Sequence, residues 1–438
     1  MFKNFIEGLK NIFKIPELRD KVVFTLAMLI VYRLGCHIPT PGINTEALSV
    51  FMKAQQGGIL GFLDLFTGGA FKTFSVCALG VMPYISSSII MQLLTPVIPA
   101  LEKLAKEGDA GRKKINQYTR YGAVALCAIQ AWSMTFLMHS IGRGIVNNWS
   151  ISFQLMTVLT LTTGTMFLVW LGERITEKGI GNGMSMIIFA GIVARIPTEI
   201  INTIKLIQQD ALSLVTVIAV AIGMLIIIAF VVLIQTAARR IPVQYAQRVV
   251  GRKVYGGAST YLPLKVDFSG VIAIIFASSV LSVPAMIAKP FNDNVFFEAI
   301  VNWLSPGAPV YLFLYAGLVI FFCFFYTAVV FNPVDVAENI KKYGGFIPGV
   351  RPGEPTAKFI DFTLTRITLV GAVSIAAIAV LPDILMRTVN IPFYFGGTSL
   401  LIVVGVALDT MKQIESHLLM RHYDGFMKDN KLKSRAGF

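Results

Sequence analysis

Leu212-Ser-Leu-Val-Thr-Val-Ile-Ala-Val-Ala-Ile-Gly-Met-Leu-Ile-Ile-Ile-Ala-Phe-Val-Val-Leu-Ile-Gln235 carries no charged side chain from end to end. As a helix rising ~1.5 Å per residue it exceeds the ~20 residues that cross a bilayer core. Lipid offers no partner to backbone N–H and C=O groups, so a run like this crosses as a helix. Nine further apolar runs lie on either side of it, near 22–36, 73–94, 119–139, 153–171, 184–203, 269–288, 310–331, 366–381 and 393–408. The first and ninth are short, and the pattern predicts that each extends into its flanks or tilts little. Ten spans make this an all-α polytopic membrane protein.

The composition agrees. Of 438 residues, 55% are hydrophobic and 14% charged, and the mean hydropathy is +0.70. A soluble domain carries about 25% charged residues. A soluble enzyme, a disordered chain and a fibrous protein are excluded. The formal net charge of +14, from 38 Lys+Arg against 24 Asp+Glu, bears first on orientation, because cations collect on the cytoplasmic side of a membrane protein. The N-tail, the even-numbered loops and the C-tail hold 28 Lys and Arg, whereas the odd-numbered loops hold 6. The remaining four (Arg33, Arg120, Arg195, Arg366) sit at span ends, where long cations can snorkel. Both termini are therefore expected in the cytoplasm. No cleavage-site pattern precedes the first run, which reads as a retained span.

The expected organisation is a cytoplasmic N-tail (1–21), an N-terminal half of five spans (22–203), a C-terminal half of five (204–411) and a cytoplasmic C-tail (412–438). An odd number of spans per half requires the second half to enter with opposite orientation, the arrangement of inverted repeats. The first connection of each half is long (37–72 and 236–268), and the second is of similar size in both.

Glu199 is the sole carboxylate within the ten runs, and the histidines (His37, His139, His417, His422) lie at span ends or in the C-tail. Ion-coupled transporters usually place such groups inside the membrane. There is no HExxH, no phosphate-binding loop and no acid–base pair, so no catalytic residue, metal site or cofactor is expected and the chain does not read as an enzyme. Cys36, Cys77, Cys127 and Cys323 lie singly at or in apolar runs and read as buried packing thiols. Gly179-Ile-Gly-Asn-Gly183 has the wrong spacing for a dinucleotide site and reads as a flexible entry to the fifth span.

Four features point to a pathway through the membrane. Gly58-Ile-Leu-Gly-Phe-Leu-Asp-Leu-Phe-Thr-Gly-Gly69 is an apolar stretch long enough, at ~1.5 Å per residue, for about half a bilayer. Non-helix-spanning backbone at that depth is tolerated only when buried in protein or lining a cavity. Val81, Ile85, Ser88 and Gln92 share one face of the second span, and Pro83 is expected to kink it. The seventh span has a similar patch, Ser278, Ser279 and Ser282 before Pro284. The loops 237–268 and 332–362 are basic, with Arg239, Arg240, Arg248, Arg252 and Lys253 in the first and Arg351 framed by glycines and prolines in the second. Long-range attraction could bring an RNA-rich or acidic partner to them.

Longer motifs carry a resemblance. Ile38-Pro-Thr-Pro-Gly42, Ala78-Leu-Gly-Val-Met-Pro-Tyr-Ile-Ser86, Gly111-Arg-Lys-Lys-Ile-Asn-Gln-Tyr-Thr-Arg-Tyr-Gly122, Trp170-Leu-Gly-Glu-Arg-Ile-Thr-Glu-Lys-Gly-Ile-Gly-Asn-Gly183, Leu262-Pro-Leu-Lys265, Asn332-Pro333, the Gly349–Gly353 turn and Phe395-Gly-Gly-Thr-Ser-Leu-Leu-Ile402 follow one another in order. Along essentially its whole length the chain resembles the SecY family, the central channel subunits of bacterial protein translocases.

That resemblance implies two inverted five-helix halves around a central hourglass pore, in the bacterial cytoplasmic (inner) membrane. It implies an apolar pore ring of Val81, Ile85, Met184, Ile188, Ile275 and Ile402, which would exclude water when empty and deform around a passing chain. The stretch near 58–67 resembles the family's plug half-helix, with Ile59, Leu60, Phe62, Leu63, Leu65 and Phe66 as its apolar residues. The lateral gate would involve Ser87, Ser88, Gln92, Gln130, Ser278, Ser279 and Ser282, releasing apolar segments into lipid. Arg239, Arg240, Arg248, Arg252, Lys253 and Arg351 would serve docking of the ribosome and the SecA motor ATPase. The implied partners also include the small membrane subunits SecE and SecG, signal sequences, nascent or secretory polypeptides, and membrane lipids. The competing expectation is an inverted-repeat solute transporter, against which the missing intramembrane carboxylates count.

Overall fold

A computed structural model describes residues 15–54, 64, 67–141, 144–146, 148–209, 213–245, 248–250, 253–255, 260–288, 295–305, 308–389 and 397–429. The chain is mainly helical, and each of the ten apolar runs contains all or part of a described helix. Among the described residues, six helices are long and apolar enough to cross a membrane, and a bent pair, Met82–Leu94 with Pro99–Lys106, would make a seventh.

The chain packs as two compact units. The described residues up to Thr198, together with the last helix from Val406 onward, form one; Glu199–Gly405 forms the other. The first unit contains α1 (Pro16–Gly35), α2 (Thr45–Ala54), α3 (Met82–Leu94), α4 (Pro99–Lys106), α5 (Asp109–Ile141), α6 (Ile151–Lys178) and α7 (Gly183–Val193). The next helix, α8 (Ile196–Gln208), leads into the second unit. There lie α9 (Leu214–Thr236), β1 (Ala238–Tyr245), β2 (Arg248–Val250), β3 (Lys253–Tyr255), β4 (Thr260–Lys265), α10 (Ile272–Ala288), α11 (Val295–Trp303), α12 (Pro309–Val330), α13 (Pro333–Lys342), β5 (Gly345–Phe346) and α14 (Glu354–Val389). The last helix, α15 (Gly397–Asp429), begins in the second unit and ends in the first.

The two short runs extend as expected. α1 reaches back to Pro16, whose missing N–H is no loss in a first turn, and α14 begins twelve residues before its apolar run at Glu354. Large apolar side chains stay exposed along α9, among them Leu214, Ile218, Ile222, Leu225 and Ile226. In water such a stripe would be a liability, whereas in lipid it is the outer surface.

Three expectations change. The second run is helical only from Met82, because residues 67–81 form tight turns, with Gly68, Gly69 and Gly80 in the left-handed region. Pro83 accordingly sits in the first turn of α3, where it costs no hydrogen bond, and it kinks nothing. The fifth run is interrupted by a turn at Ala194-Arg195 that separates α7 from α8, although Gly183–Gln208 together remains one of the six membrane-long stretches. Lastly, Gly179–Gly183 is pinned, not flexible. The Ile180 N–H donates to Thr25 Oγ1 (3.0 Å), that of Gly181 to Gln413 Oε1 (2.9 Å) and that of Gly183 to Thr176 Oγ1 (2.9 Å). Asn182 caps α7 by accepting from Met184 and Ser185, and a Cβ on Gly183 would run into the Gly172 carbonyl. The backbone donors of Gly179, Ile180, Gly181 and Gly183 each have a partner, so the glycines serve close approach.

Candidate functional site

The pore-ring candidates fall on four elements. In the first unit, Val81 is the residue before α3 and Ile85 lies one turn in; both are buried. Ile188 is buried on α7, and Met184, one turn earlier, lays its thioether over Gly172 of α6. In the second unit, Ile275 on α10 and Ile402 on α15 are buried. None of the six carries an N–H or O–H in its side chain.

The polar candidates are mostly tied within their own unit. The Ser87 hydroxyl donates to the Thr119 carbonyl on α5 at 2.7 Å, and Gly122 of α5 approaches it so closely that a Cβ there would meet Ser87 Oγ. Gln92 donates to Ser88 Oγ at 3.1 Å, leaving both half-buried on one face of α3. Gln130 is buried on α5. On α10, Ser278 donates to the Ile275 carbonyl and Ser282 to that of Ser278, so these buried hydroxyls satisfy themselves along their own helix. Helix faces whose polar groups are already paired can separate at little hydrogen-bonding cost.

The two basic loops form one body. β1 pairs antiparallel with β4, from Ala238 opposite Lys265 to Val243 opposite Thr260. Its far end pairs with β5, Gln244 opposite Phe346 and Tyr245 opposite Gly345. Ile241, Val243 and Leu264 from the first loop bury against Ile340, Ile347 and Ile360 around the second. Alternation along β1 turns Ile241 and Val243 inward and Arg240 outward, and Arg239, near the strand's start, is exposed as well. Arg351 is exposed on a turn whose Gly349 (φ 84°) and Gly353 (φ 106°) both occupy the left-handed region. Thr356 closes that turn by donating to the Arg351 carbonyl at 2.8 Å. Tyr343, 77% exposed, and Lys341 and Lys342 stand beside β5. In the β2–β3 ladder Arg248 pairs with Tyr255 and Lys253 with Val250. Arg252 lies outside the described residues, as do Ile59, Leu60, Phe62, Leu63, Leu65 and Phe66.

A charged cluster went unread in the sequence. Asp64, the one acid of the 58–69 stretch, has a side chain 1% exposed, and its Oδ2 lies 3.2 Å from Arg195 Nη1 and 3.9 Å from Lys72 Nζ. The Lys72 N–H donates to Asp64 Oδ1 at 3.2 Å. Burial pushes the Asp64 carboxyl above its ordinary range, against the pull of Arg195 and Lys72. The turn that follows is braced: Tyr32 donates to the Thr67 carbonyl at 3.2 Å, and Arg33 donates to that of Gly68. A signal existed, since an acid inside an apolar stretch calls for a cation. Arg195, read as a snorkelling span-end residue, supplies it.

The architecture is that of a multi-pass α-helical membrane protein with a rigid basic prominence. Residues 75–411 match the SecY family model. The chain is 48% identical over 440 residues to the protein translocase subunit SecY of Thermus thermophilus, covering 99% of this chain and 100% of that one. It is 48% identical to the subunit of the same name from Escherichia coli K12, over 95% of each chain. Among solved structures, one described as a protein-conducting channel aligns over 91% of this chain and 92% of its own, with a TM-score of 0.66 at 17% identity. Sec61 in the canine ribosome–channel complex aligns with a TM-score of 0.61 at 15% identity, over 91% and 92%. The chain belongs to the SecY family.

Proposed function

We propose that this chain is the protein-conducting channel of a bacterial translocase, passing unfolded secretory polypeptides across the membrane and releasing apolar segments sideways into lipid. The observation that carries it is identity near one-half to translocase subunits over nearly the full length of both chains. Similarity of fold to protein-conducting channels supports the same reading. The solute-transporter alternative gains no support from any of these relatives.

In this reading Val81, Ile85, Met184, Ile188, Ile275 and Ile402 form the constriction, whose apolar surface dewets when empty. The stretch near 58–67 is the plug, and the serine and glutamine faces of α3, α5 and α10 make the lateral gate. The halves 22–203 and 204–411 are inverted repeats, with both termini in the cytoplasm as the Lys and Arg distribution favours. The prominence then faces the cytoplasm and receives the ribosome or the SecA motor through Arg351 and the β1 arginines. SecE and SecG are the small membrane partners. The chain performs no chemistry itself, and the driving energy comes from the docked partner.

The test places a cysteine at Ile85 in a chain whose native cysteines are replaced, with a secretory protein stalled midway across the membrane. A disulfide to the stalled client that depends on its signal sequence is expected. Absence of the crosslink, with stalling verified independently, would remove Ile85 and α3 from the path.

A further inference from the structure

The Asp64 cluster differs from every other ion pair described in the chain. The pairs Arg19–Asp20, Lys106–Glu102, Arg174–Glu177, Lys342–Glu338 and Lys358–Glu354 join well-exposed side chains, where such contacts contribute little. Arg120–Glu173 is half-exposed. Asp64 is buried and Arg195 only slightly exposed, at 1% and 12%. Taking two charges out of water is costly, and their attraction only about offsets it when the geometry is good. Such a pair is a poor way to hold a structure permanently. It suits a contact that must hold and then release.

Its position fits that role. Asp64 belongs to the 58–67 stretch, whereas Arg195 sits at the break between α7 and α8, where helix geometry lapses. The Arg195 N–H turns to the Ile192 carbonyl at 3.1 Å, so the break itself is hydrogen-bonded and fixed. Next to it, Gly191 of α7 and Gly68 approach so closely that neither admits a Cβ without displacement. The carboxylate is thus attached to the stretch and its counter-charge to the helical frame.

We propose that Arg195 is the retaining residue of the plug, holding it seated by compensating the buried charge of Asp64. The inference rests on the plug reading given above. Once the stretch leaves, Asp64 regains water, so hydration of the carboxylate assists opening while Arg195 opposes it. Arg195, 12% exposed, can turn to water when Asp64 is neutral, whereas Asp64 without Arg195 keeps only Lys72, 3.9 Å away, so loss of Arg195 alone is the damaging change. Loss of both returns an uncharged seat.

The experiment reconstitutes the complete translocase in vesicles of bacterial lipid and reads resting chloride efflux, with assembly followed by gel filtration. Arg195→Gln should raise the leak about tenfold or more, within what a buried charge left with only the more distant Lys72 costs. Adding Asp64→Asn to that chain should bring the leak back to within about twofold of the parent, because no charge is left buried alone. Asp64→Asn by itself should leak no more than the parent. An unchanged leak in Arg195→Gln, or a raised one that Asp64→Asn fails to relieve, overturns the inference. If Arg195→Gln does not assemble, the double variant must restore assembly, and its failure counts against the proposal equally. Deletion of residues 58–66 separates the two readings. A raised leak on deletion with an unchanged Arg195→Gln refutes the retaining role alone, whereas no rise on deletion refutes the plug and this inference with it.

Discussion

The turn that carries Arg351 and the turn that follows Asp64 are built alike and used oppositely. Each relies on glycines in the left-handed region, Gly349 and Gly353 in one, Gly68 and Gly69 in the other. Each is clamped by a side chain donating to a turn carbonyl, Thr356 to Arg351 and Tyr32 to Thr67. The first turn carries its charge into solvent on a frame of β1, β4, β5 and the Ile241–Leu264–Ile340 core. The second buries its charge against a partner on another element. Backbone chemistry alone therefore does not say what a charged turn is for; the surrounding dielectric does. In solvent the charge acts at long range on whatever approaches, whereas in the interior it acts on one counter-charge and its loss is felt locally.

Reversing the exposed charge tests one side of this contrast most severely. Arg351→Glu should lower motor- or ribosome-driven transport by about tenfold or more, as truncation or reversal at a docking hot spot does. Assembly and resting leak should stay at parental levels, because Arg351 supports no buried group. Transport assays on inverted vesicles, with leak measured on the same preparation, check both parts. A parental transport rate would show that the arginine is not a docking contact. Arg351→Lys should fall between, since lysine keeps the charge and loses the planar fork.

A smaller effect is expected when the frame is altered and the charge kept. A β-branched residue at Gly349 is strained at φ 84°, at a cost of about 1–2 kcal/mol for an L-residue in that region. Gly349→Val should thus slow transport a few-fold with Arg351 still present and exposed. Equal rates in parent and variant would mean that display on a rigid turn is unimportant and that only charge counts. Nothing lies within 4 Å of the position a Cβ would take at Gly349, so the effect isolates backbone strain from packing.

The same contrast accounts for how far the sequence could be read. Spans such as α9 and α12 follow from local apolarity, and the extensions of α1 and α14 follow from the length a bilayer demands. Arg351 was legible as an exposed, framed cation because glycines and prolines within three residues on either side set its turn. What stayed hidden depends on residues far apart in the chain. The pairing of β1 with β5 joins loops a hundred residues apart, and no period within either loop announces it. The pinning of Gly181 needs Gln413, and the role of Arg195 needs Asp64. Pro83 misled for a local reason: the glycine turns before it place it at a helix start, a position where proline is innocuous.

Acidity gives the mildest handle on the buried side of the comparison. Burial raises the Asp64 carboxyl above its ordinary range although Arg195 and Lys72 pull it down. A carboxyl whose affinity for protons is higher in the seated state than in water favours that state in acid. The gain is complete below the ordinary carboxylate range and is lost as pH rises through the raised value. Resting leak should therefore fall, not rise, as pH is lowered from neutral toward the carboxylate range. Around the turn, Arg33, Lys72 and Arg195 are cations, Tyr32 and Cys36 face it from α1, and Asp64 is the carboxylate among them. His37, exposed and against the Arg33 carbonyl, also lies near the turn, so the comparison is of the parent with Asp64→Asn at each pH. The difference between the two chains should shrink as pH falls, because protonated aspartate and asparagine are both neutral. A parental leak that rises in acid while the asparagine chain stays flat would mean that the ionised carboxylate itself retains the segment, and the two turns would then differ in partner but not in the sign of their charge's effect.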